Sequence, residues 1–479
     1  MLSQVIVLFL MKIIKMHILF CLILILTISC SHRPSLSDNS GNYLLLKKIN
    51  KIINNSKKNI SLAIDIRSLN SRKSIYSFRS DIPMLPASNV KLYTSASAII
   101  NYGSDYKFKT RIYESNSNLY LKGGGDPFLK VEELDSLARL ISKKYQNIDS
   151  LITDNSMLDN DNYGPGWMWD EGHGWHASEI HALNLNNNSI DFFIEPVNEN
   201  KLVKISYQPP TKYVKIINNS KTVLKVKDHD KKFTIDRDWK NKTNTFIVSG
   251  IMEKSNKVDT LRRNIYDAEN FVLSNFAQML KKYGVKVKAM QKGKTPKDSK
   301  LILTHNSKTL SAINKRMMYE SNNLAAEVLT KSLAYSDTSF GNWESGLKII
   351  KSLIYDYGKI DTTNIRLSDG SGLSRYNLSS AKSFTTFLDY IYFSKYKDEF
   401  IKALPHGGSK KSTLENRFKH HKENIRAKTG TLSGVSCISG YLFSQKYGPL
   451  CFSIMINGFT GSSKPFKILE DEIIASLID

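Results

Sequence analysis

The sequence predicts an α/β protein of the α+β kind: an antiparallel sheet covered by helices and interrupted by a large β-rich insert. Three observations carry that expectation. Apolar residues alternate in strand-like runs near both ends of the chain, helical periodicity flanks those runs, and the stretch between them changes to short strands separated by Asn-, Asp- and Lys-rich loops. At 479 residues the chain also exceeds the roughly 250–300 residues at which a single core stops growing, so more than one domain is expected.

The elements follow in order. From Met11, an alternative start, the chain reads MKIIKMHILFCLILILTISC, with Lys12 and Lys15 ahead of an apolar run from Ile18 to Ile28 that gives way to polar SHRPSLSDNSGN. This is the pattern of a secretory signal, and the run falls short of the roughly 20 apolar residues that span a membrane. Residues 1–29 are expected to be removed and residues 30–42 to form a linker. The segment T-I-S-C resembles a bacterial lipoprotein box, with Thr27 where Leu is usual, so Cys30 is the expected lipidation site. The mature chain is expected to be exported and periplasmic, held to the membrane as a lipoprotein, with a plain cleaved signal as the alternative.

In residues 43–106, YLLLKKINKIINN sets Leu44, Leu45, Ile49, Ile52 and Ile53 at helical spacing. NISLAIDIRSLN alternates Ile60, Leu62, Ile64 and Ile66 and, with KSIYSFRS, forms a hairpin. PASNVKLYTSASAIINYG then runs as a buried helix with Ser88 in its first turn. Residues 107–298 are the insert, with strands at FKTRIYES, NLYLKGGGDP, SIDFFIEPV, LVKISYQPP, TVLKVK and NTFIVSG and one helix at NFVLSNFAQMLKKYG. Residues 299–479 return to helices at LSAINKRMMY and NLAAEVLTKSLAYS. They close with strands at NIRAKTGTL, SGVSCISGYLFS and GPLCFSIMING and a last helix at PFKILEDEIIASLI. A sheet built from both ends of the chain around an insertion is the arrangement this order suggests.

Charge and cysteine content narrow the function. The chain carries 68 Lys+Arg against 44 Asp+Glu, a formal charge of +24, which would suit a nucleic-acid surface. The lysines are scattered among Ile and Asn throughout, however, and the export signal removes the chain from nucleic acid, so no nucleic-acid partner is expected. Four cysteines without a C-x-x-C pair exclude a disulfide framework and a zinc ribbon. Cys437 and Cys451 lie on neighbouring strands, either paired after export or left as buried thiols.

The chemistry centres on Ser88-Asn89-Val90-Lys91. On a helix, i and i+3 share a face, so a neutral Lys91 amine can take the Ser88 proton. S-x-x-K also occurs at Ser104–Lys107, Ser345–Lys348, Ser379–Lys382 and Ser394–Lys397. Ser88 stands apart because Pro86 precedes it, a helix N-terminus favours developing negative charge, and an apolar helix body lies behind it. Further on, Ser321-Asn322-Asn323 sits between two helical segments and Lys428-Thr429-Gly430 on a strand. S-x-x-K, S-x-N and K-T-G in that order are the serine-acyltransferase set of penicillin-binding proteins and class A β-lactamases.

On these motifs the chain resembles the class C low-molecular-mass penicillin-binding proteins, D-Ala-D-Ala carboxypeptidases/endopeptidases with a penicillin-binding transpeptidase/β-lactamase-like fold. The resemblance extends through PASNVKLYT, LKGGGDPFL, GPGWMWDE, ASEIHALNLNNN, YESNNLAAE, DGSGLSRYN, LPHGGSKKSTLENR and AKTGTLSGVSCISGY. One stretch departs: GGSKKSTL stands where the family reads closer to G-x-D-G-T-L. The resemblance implies Ser88 as nucleophile, Lys91 as base kept neutral by burial and by Lys428, Ser321 as proton relay, and Asn323 orienting Lys91 and the substrate amide. Lys428 and Thr429 would hold the substrate carboxylate, Gly430 would admit the ligand backbone, and the N–H groups of Ser88 and Thr431 would form the oxyanion hole. Peptidoglycan stem peptides are the implied substrate, β-lactams the covalent inhibitors, and no metal or organic cofactor is implied. A serine β-lactamase is the second reading and a non-catalytic penicillin-binding sensor or wall-binding module the third.

Other residues have simpler readings. His173, His176 and His181 with Asp170 and Glu171 lack an H-E-x-x-H pattern and read as loop residues, with zinc the alternative. Trp167, Trp169 and Trp175 anchor a Gly-Pro loop or stack on glycan. Lys122-Gly-Gly-Gly-Asp-Pro lacks the G-K-[ST] ending of a phosphate loop and reads as a turn, and Asp369-Gly-Ser-Gly reads as a structural turn, with Ser371 as a serine near the site the alternative.

Overall fold

The computed structural model describes residues 40–56, 59–227, 229–336 and 338–478. The signal segment, Cys30 and the linker up to residue 39 lie outside them. Among the described residues no helix is long and apolar enough to cross a membrane.

Helix α1 (Ser40–Ser56) leads into the hairpin β1 (Ser61–Ser68) and β2 (Lys73–Phe78), followed by α2 (Val90–Tyr102). The insert comprises β3 (Lys109–Ser115), β4 (Asn118–Lys122), α3 (Val131–Ser142), β5 (Asn147–Asp154), β6 (Ser189–Glu195), β7 (Lys204–Gln208), β8 (Lys215–Val223), β9 (Thr234–Arg237), β10 (Thr245–Glu253), β11 (Asp259–Asn264), α4 (Ala268–Lys282), β12 (Lys286–Lys292) and β13 (Lys300–Asn306). The chain returns through α5 (Leu310–Glu320), α6 (Asn323–Ser332), α7 (Trp343–Gly358), α8 (Ala381–Tyr392) and α9 (Lys397–Ala403). It ends with β14 (Ile425–Leu432), β15 (Val435–Ser444), β16 (Gly448–Asn457) and α10 (Lys464–Ala475).

The main sheet runs β14-β15-β16-β1-β2, antiparallel throughout. β1 from one end of the chain pairs with β16 from the other, Ser61 facing Asn457 and Ser68 facing Leu450. Both faces are covered. Leu62, Ile64 and Ile66 pack toward α1 and α10, whereas Ala63, on the opposite face, belongs to the core with α2 and α5 to α8. A sheet buried on both sides needs apolar residues at consecutive positions, which is why β15 and β16 are almost wholly buried. In α1, Leu45 and Ile49 are buried and Ile52 and Ile53 are packed against the same core as expected, while Leu46 takes the inward position and Leu44 is exposed. Cys437 faces Met455 and Cys451 faces Tyr441. The two thiols are therefore not opposite one another, and both are free and buried.

The insert has its own core and three sheets, β8-β10-β9, β11-β6-β7 and β12-β5-β4-β3-β13. Two differences from the sequence expectation have physical reasons. β13, placed by the boundary at 299 with the closing part, pairs antiparallel with β3 in the insert, because Ile302 and Leu303 pack against the insert core and complete that edge. The TVLKVK strand stops at Val223, where its parallel partner β10 ends at Glu253 and leaves Leu224 exposed.

Candidate active site

Pro86 opens a short 3-10 turn, Ala87–Asn89, that runs directly into α2. Ser88 sits in that turn and Lys91 in the first turn of the α-helix. Ala87 adopts φ +46°, a left-handed conformation that costs a non-glycine residue about 1–3 kcal/mol unless its surroundings hold it. Two glycine backbones press against it. A Cβ on Gly372 would lie 1.8 Å from the Ala87 carbonyl oxygen, and one on Gly430 would lie 2.8 Å from the Pro86 oxygen and 3.0 Å from the Ser88 nitrogen. The glycine of K-T-G thus lets β14 approach the serine turn. Asn89, fully buried, ties the turn to β15 by donating to Ser439 Oγ at 2.7 Å.

The five residues expected to carry the chemistry meet at one place. Lys91 Nζ lies 2.9 Å from Ser88 Oγ, 2.7 Å from Asn323 Oδ1 and 2.7 Å from the Ser371 carbonyl oxygen. Lys428 Nζ lies 2.9 Å from Ser321 Oγ and 2.6 Å from the Thr429 carbonyl oxygen. Ser321 closes α5 with φ +54°, ψ +40°, a left-handed cap that turns the chain at once into α6. There Asn322 caps the helix through the Ala325 N–H. The insert fixes this corner: Asn187 accepts from Asn322 Nδ2 at 3.0 Å, and the His176 carbonyl accepts from Asn323 Nδ2 at 2.9 Å.

Burial sets the proton balance. Lys91, wholly inaccessible, is pushed down to about 7 by loss of solvent, against the pull of the Asp369 and Glu327 carboxylates. Lys428, equally inaccessible, is held well below the ordinary lysine range by burial and then by repulsion from Lys91. Desolvation is the largest cause at both amines, and the repulsion between them adds to it.

A supporting layer escaped the sequence reading. Glu327, on α6, accepts the Gly370 and Ser371 backbone N–H groups at 2.8 Å each and the Trp343 indole N–H at 2.8 Å. Burial pushes its carboxyl up to about 7. Asp369 accepts from the N–H groups of Gly372 and Ser374 and from Asn377 and the Trp167 indole. Together they fold the DGSG loop so that the Ser371 carbonyl meets Lys91; the turn is structural, and what it positions is an acceptor for the amine. The only available signal was two acidic residues in otherwise apolar or small-residue surroundings.

Ser88, Ser321, Asn323 and Thr431 line a cleft of about 650 Å³, with Gly372, Arg375 and Leu432 on its wall. Thr429 is mostly buried behind it. The three histidines weighed as zinc ligands each face a separate acid, His176 with Glu171, His181 with Glu179 and His173 with Asp236. Among the described residues, the group with ligand atoms close enough for a metal lies elsewhere, at Asp126, Glu133 and His305, within 4.8 Å of one another.

The comparisons with known proteins bear on the family and the fold. The D-alanyl-D-alanine carboxypeptidase of Actinomadura sp. (strain R39) is 29% identical over 414 residues, covering 81% of this chain and 76% of the relative. The D-alanyl-D-alanine carboxypeptidase DacB of Haemophilus influenzae is 27% identical over 424 residues, covering 82% and 85%. A crystal structure of penicillin binding protein 4 (dacB) from Haemophilus influenzae matches the fold with a TM-score of 0.78 at 23% identity, over 90% of this chain and 99% of that one, and a further structure of it holds a β-lactam. The model of the D-Ala-D-Ala carboxypeptidase 3 (S13) family matches residues 45–473, from α1 to α10, and the chain belongs to that family of peptidases.

Proposed function

We infer that the chain is a serine-type D-Ala-D-Ala carboxypeptidase/endopeptidase that acts on peptidoglycan stem peptides and is acylated by β-lactams. The observation that carries this reading is the 2.9 Å contact between Ser88 Oγ and the fully buried Lys91 amine. An amine whose proton affinity is lowered to neutrality by burial is neutral often enough to act as a base at pH 7. Ser88 Oγ attacks the carbonyl carbon of the penultimate D-Ala and passes its proton to Lys91 Nζ. Ser321, bridged to Lys428, delivers a proton to the departing amine of the last D-Ala, and the Ser88 ester is then hydrolysed by water. With a β-lactam the ring amide takes the place of the peptide bond and the same ester forms.

Substitution of Ser88 by Ala tests the assignment. The variant is expected to fold as wild type, to lose covalent penicillin labelling and to release no D-Ala from stem pentapeptide. A penicillin adduct mapped by mass spectrometry to another serine overturns it. The chain acts outside the cytoplasm in this reading, exported by the segment at 1–29 and held by lipid on Cys30, with the linker giving it reach into the wall. Detergent-phase partitioning of wild type against Cys30→Ser decides this, since equal aqueous partitioning means a soluble exported enzyme.

A further inference from the structure

We propose that a second cleft, beside the catalytic one, binds the glycan strand of peptidoglycan. The proposal rests on the peptidoglycan reading above and adds a saccharide subsite to it. The cleft has a volume of about 690 Å³ and lies against the insert, within the roughly 300–1,000 Å³ typical of ligand sites. It adjoins the catalytic cleft, since Met168 and Glu171 line both. A stem peptide reaching Ser88 therefore carries its sugar toward the neighbouring cleft.

The lining points to a saccharide. Trp169 has the highest exposure, 75%, of the large hydrophobic side chains among the described residues. Its ring stands 5.2 Å from that of Trp239, tilted by 52°, and both line the cleft. Among the described residues no hydrogen-bond partner meets either indole N–H. Trp167 shows the contrast, since its N–H is used on Asp369 at 3.0 Å and the side chain anchors its loop. The exposed Trp169 ring beside the half-buried Trp239, each with its N–H unused, offers what a pyranose ring takes, an apolar face for its C–H side and a donor for its oxygens.

The charges argue against a peptide terminus as occupant. Glu179 is already used by His181 and by the Asp267 and Ala268 N–H groups. Asp267 is paired with Lys292 at 2.7 Å, and Arg237 donates to Asn264, to the Thr243 carbonyl and to the Gly172 carbonyl. With these groups engaged, the lining leaves free the aromatic faces and the exposed Lys242, a surface with no free acid to meet the ammonium of a zwitterionic peptide end, which suits a sugar better. Lys240 stands 6.0 and 5.7 Å from the two ring centres and adds a donor beside them.

The test uses the purified mature chain and glycan strands stripped of peptide by an amidase, with binding read by calorimetry. Wild type is expected to bind them, and the Trp169→Ala/Trp239→Ala variant to bind at least tenfold more weakly, with Trp169→Phe retaining most of the affinity. D-Ala release from intact sacculi should fall at least fivefold in the double variant, while hydrolysis of a small soluble D-Ala-D-Ala peptide and β-lactam acylation stay within twofold. Failure of wild type to bind peptide-free glycan overturns the proposal, as does displacement of that glycan by free stem peptide or a parallel loss on the soluble peptide. Wild type that bound glycan but released no D-Ala from any peptide would defeat the enzymatic reading and leave the saccharide site standing.

Discussion

The catalytic site and the surface of the insert handle charge in opposite ways. Around Ser88, Lys91, Lys428 and Glu327 are all fully buried, and none of them is in a salt bridge among the described residues. At the surface of the insert the ions sit in exposed pairs, such as Lys288 with Asp149 at 2.6 Å, 71% and 51% exposed, and Lys282 with Asp135 at 3.0 Å. An exposed pair contributes about 0–1 kcal/mol, because solvent screens it. A buried amine without a carboxylate partner shifts its proton affinity instead, and the cost of hiding charge becomes reactivity at neutral pH. Lys331 sharpens the contrast from within the catalytic domain: equally buried, it is paired with Asp159 and donates to the Asp161 carbonyl, which suits it to joining the two regions.

The comparison breaks first at Lys91. Lys91→Ala is expected to slow acylation by a labelled penicillin about 10²–10⁴-fold, the usual range for a general base. Combining it with Ser88→Ala should add nothing, because the two act as a unit. In wild type the acylation rate should rise with pH through about 7 and then level, since the neutral amine is the active form. Near wild-type acylation by the Lys91 variant would make the buried amine a structural group.

Lys428→Gln tests the second buried cation. Substrate and β-lactam both present a carboxylate beside the scissile amide, so activity on free-carboxylate peptides should fall at least tenfold more than on amide-capped analogues, about 1.4 kcal/mol. Parallel losses would assign Lys428 to the Ser321 relay alone. A smaller effect is expected at Glu327. Its carboxylate raises the Lys91 proton affinity, so Glu327→Gln should move the rising limb of the acylation profile to lower pH. Losing an acceptor for the DGSG backbone should also lower stability by about 1–3 kcal/mol in denaturant titration. Least is expected in the insert, where Lys288→Ala should cost no more than about 1 kcal/mol and leave acylation untouched. A large loss there would mean the surface pairs are not independent of the site.

The sequence made the site legible because the three motifs are short and local, and each keeps its residues within one turn or one strand. The hairpin, α2, the closing strands and α10 were readable from periodicity for the same reason. The insert was harder. Helix α3 buries Leu134, Leu137, Ala138 and Ile141 at helical spacing, a signal that was present between polar runs and passed over. Strands β12 and β13 are largely exposed edge strands with little apolar alternation to find. Helices α7 and α8, unread in the sequence, lie among apolar and hydroxyl-bearing stretches whose partners are far along the chain. Glu327 and Asp369 were invisible as site residues because they act on the backbone of a loop, and no spacing rule links an acid to the peptide groups it will hold. Trp239 was not singled out, since its importance depends on Trp169 standing beside it.

The β1–β16 pairing has a consequence in time. The central rungs of the main sheet join the opening of the chain to its close, and K-T-G lies on β14, separated from β1 by β15 and β16. During synthesis the insert, whose sheets are complete by β13, has all its partners well before the catalytic sheet does. Ser88 and Lys91 therefore emerge early and stand without Lys428 until the last strands arrive. Acylating power is the final property the chain acquires, switched on by strand closure after almost everything else has folded.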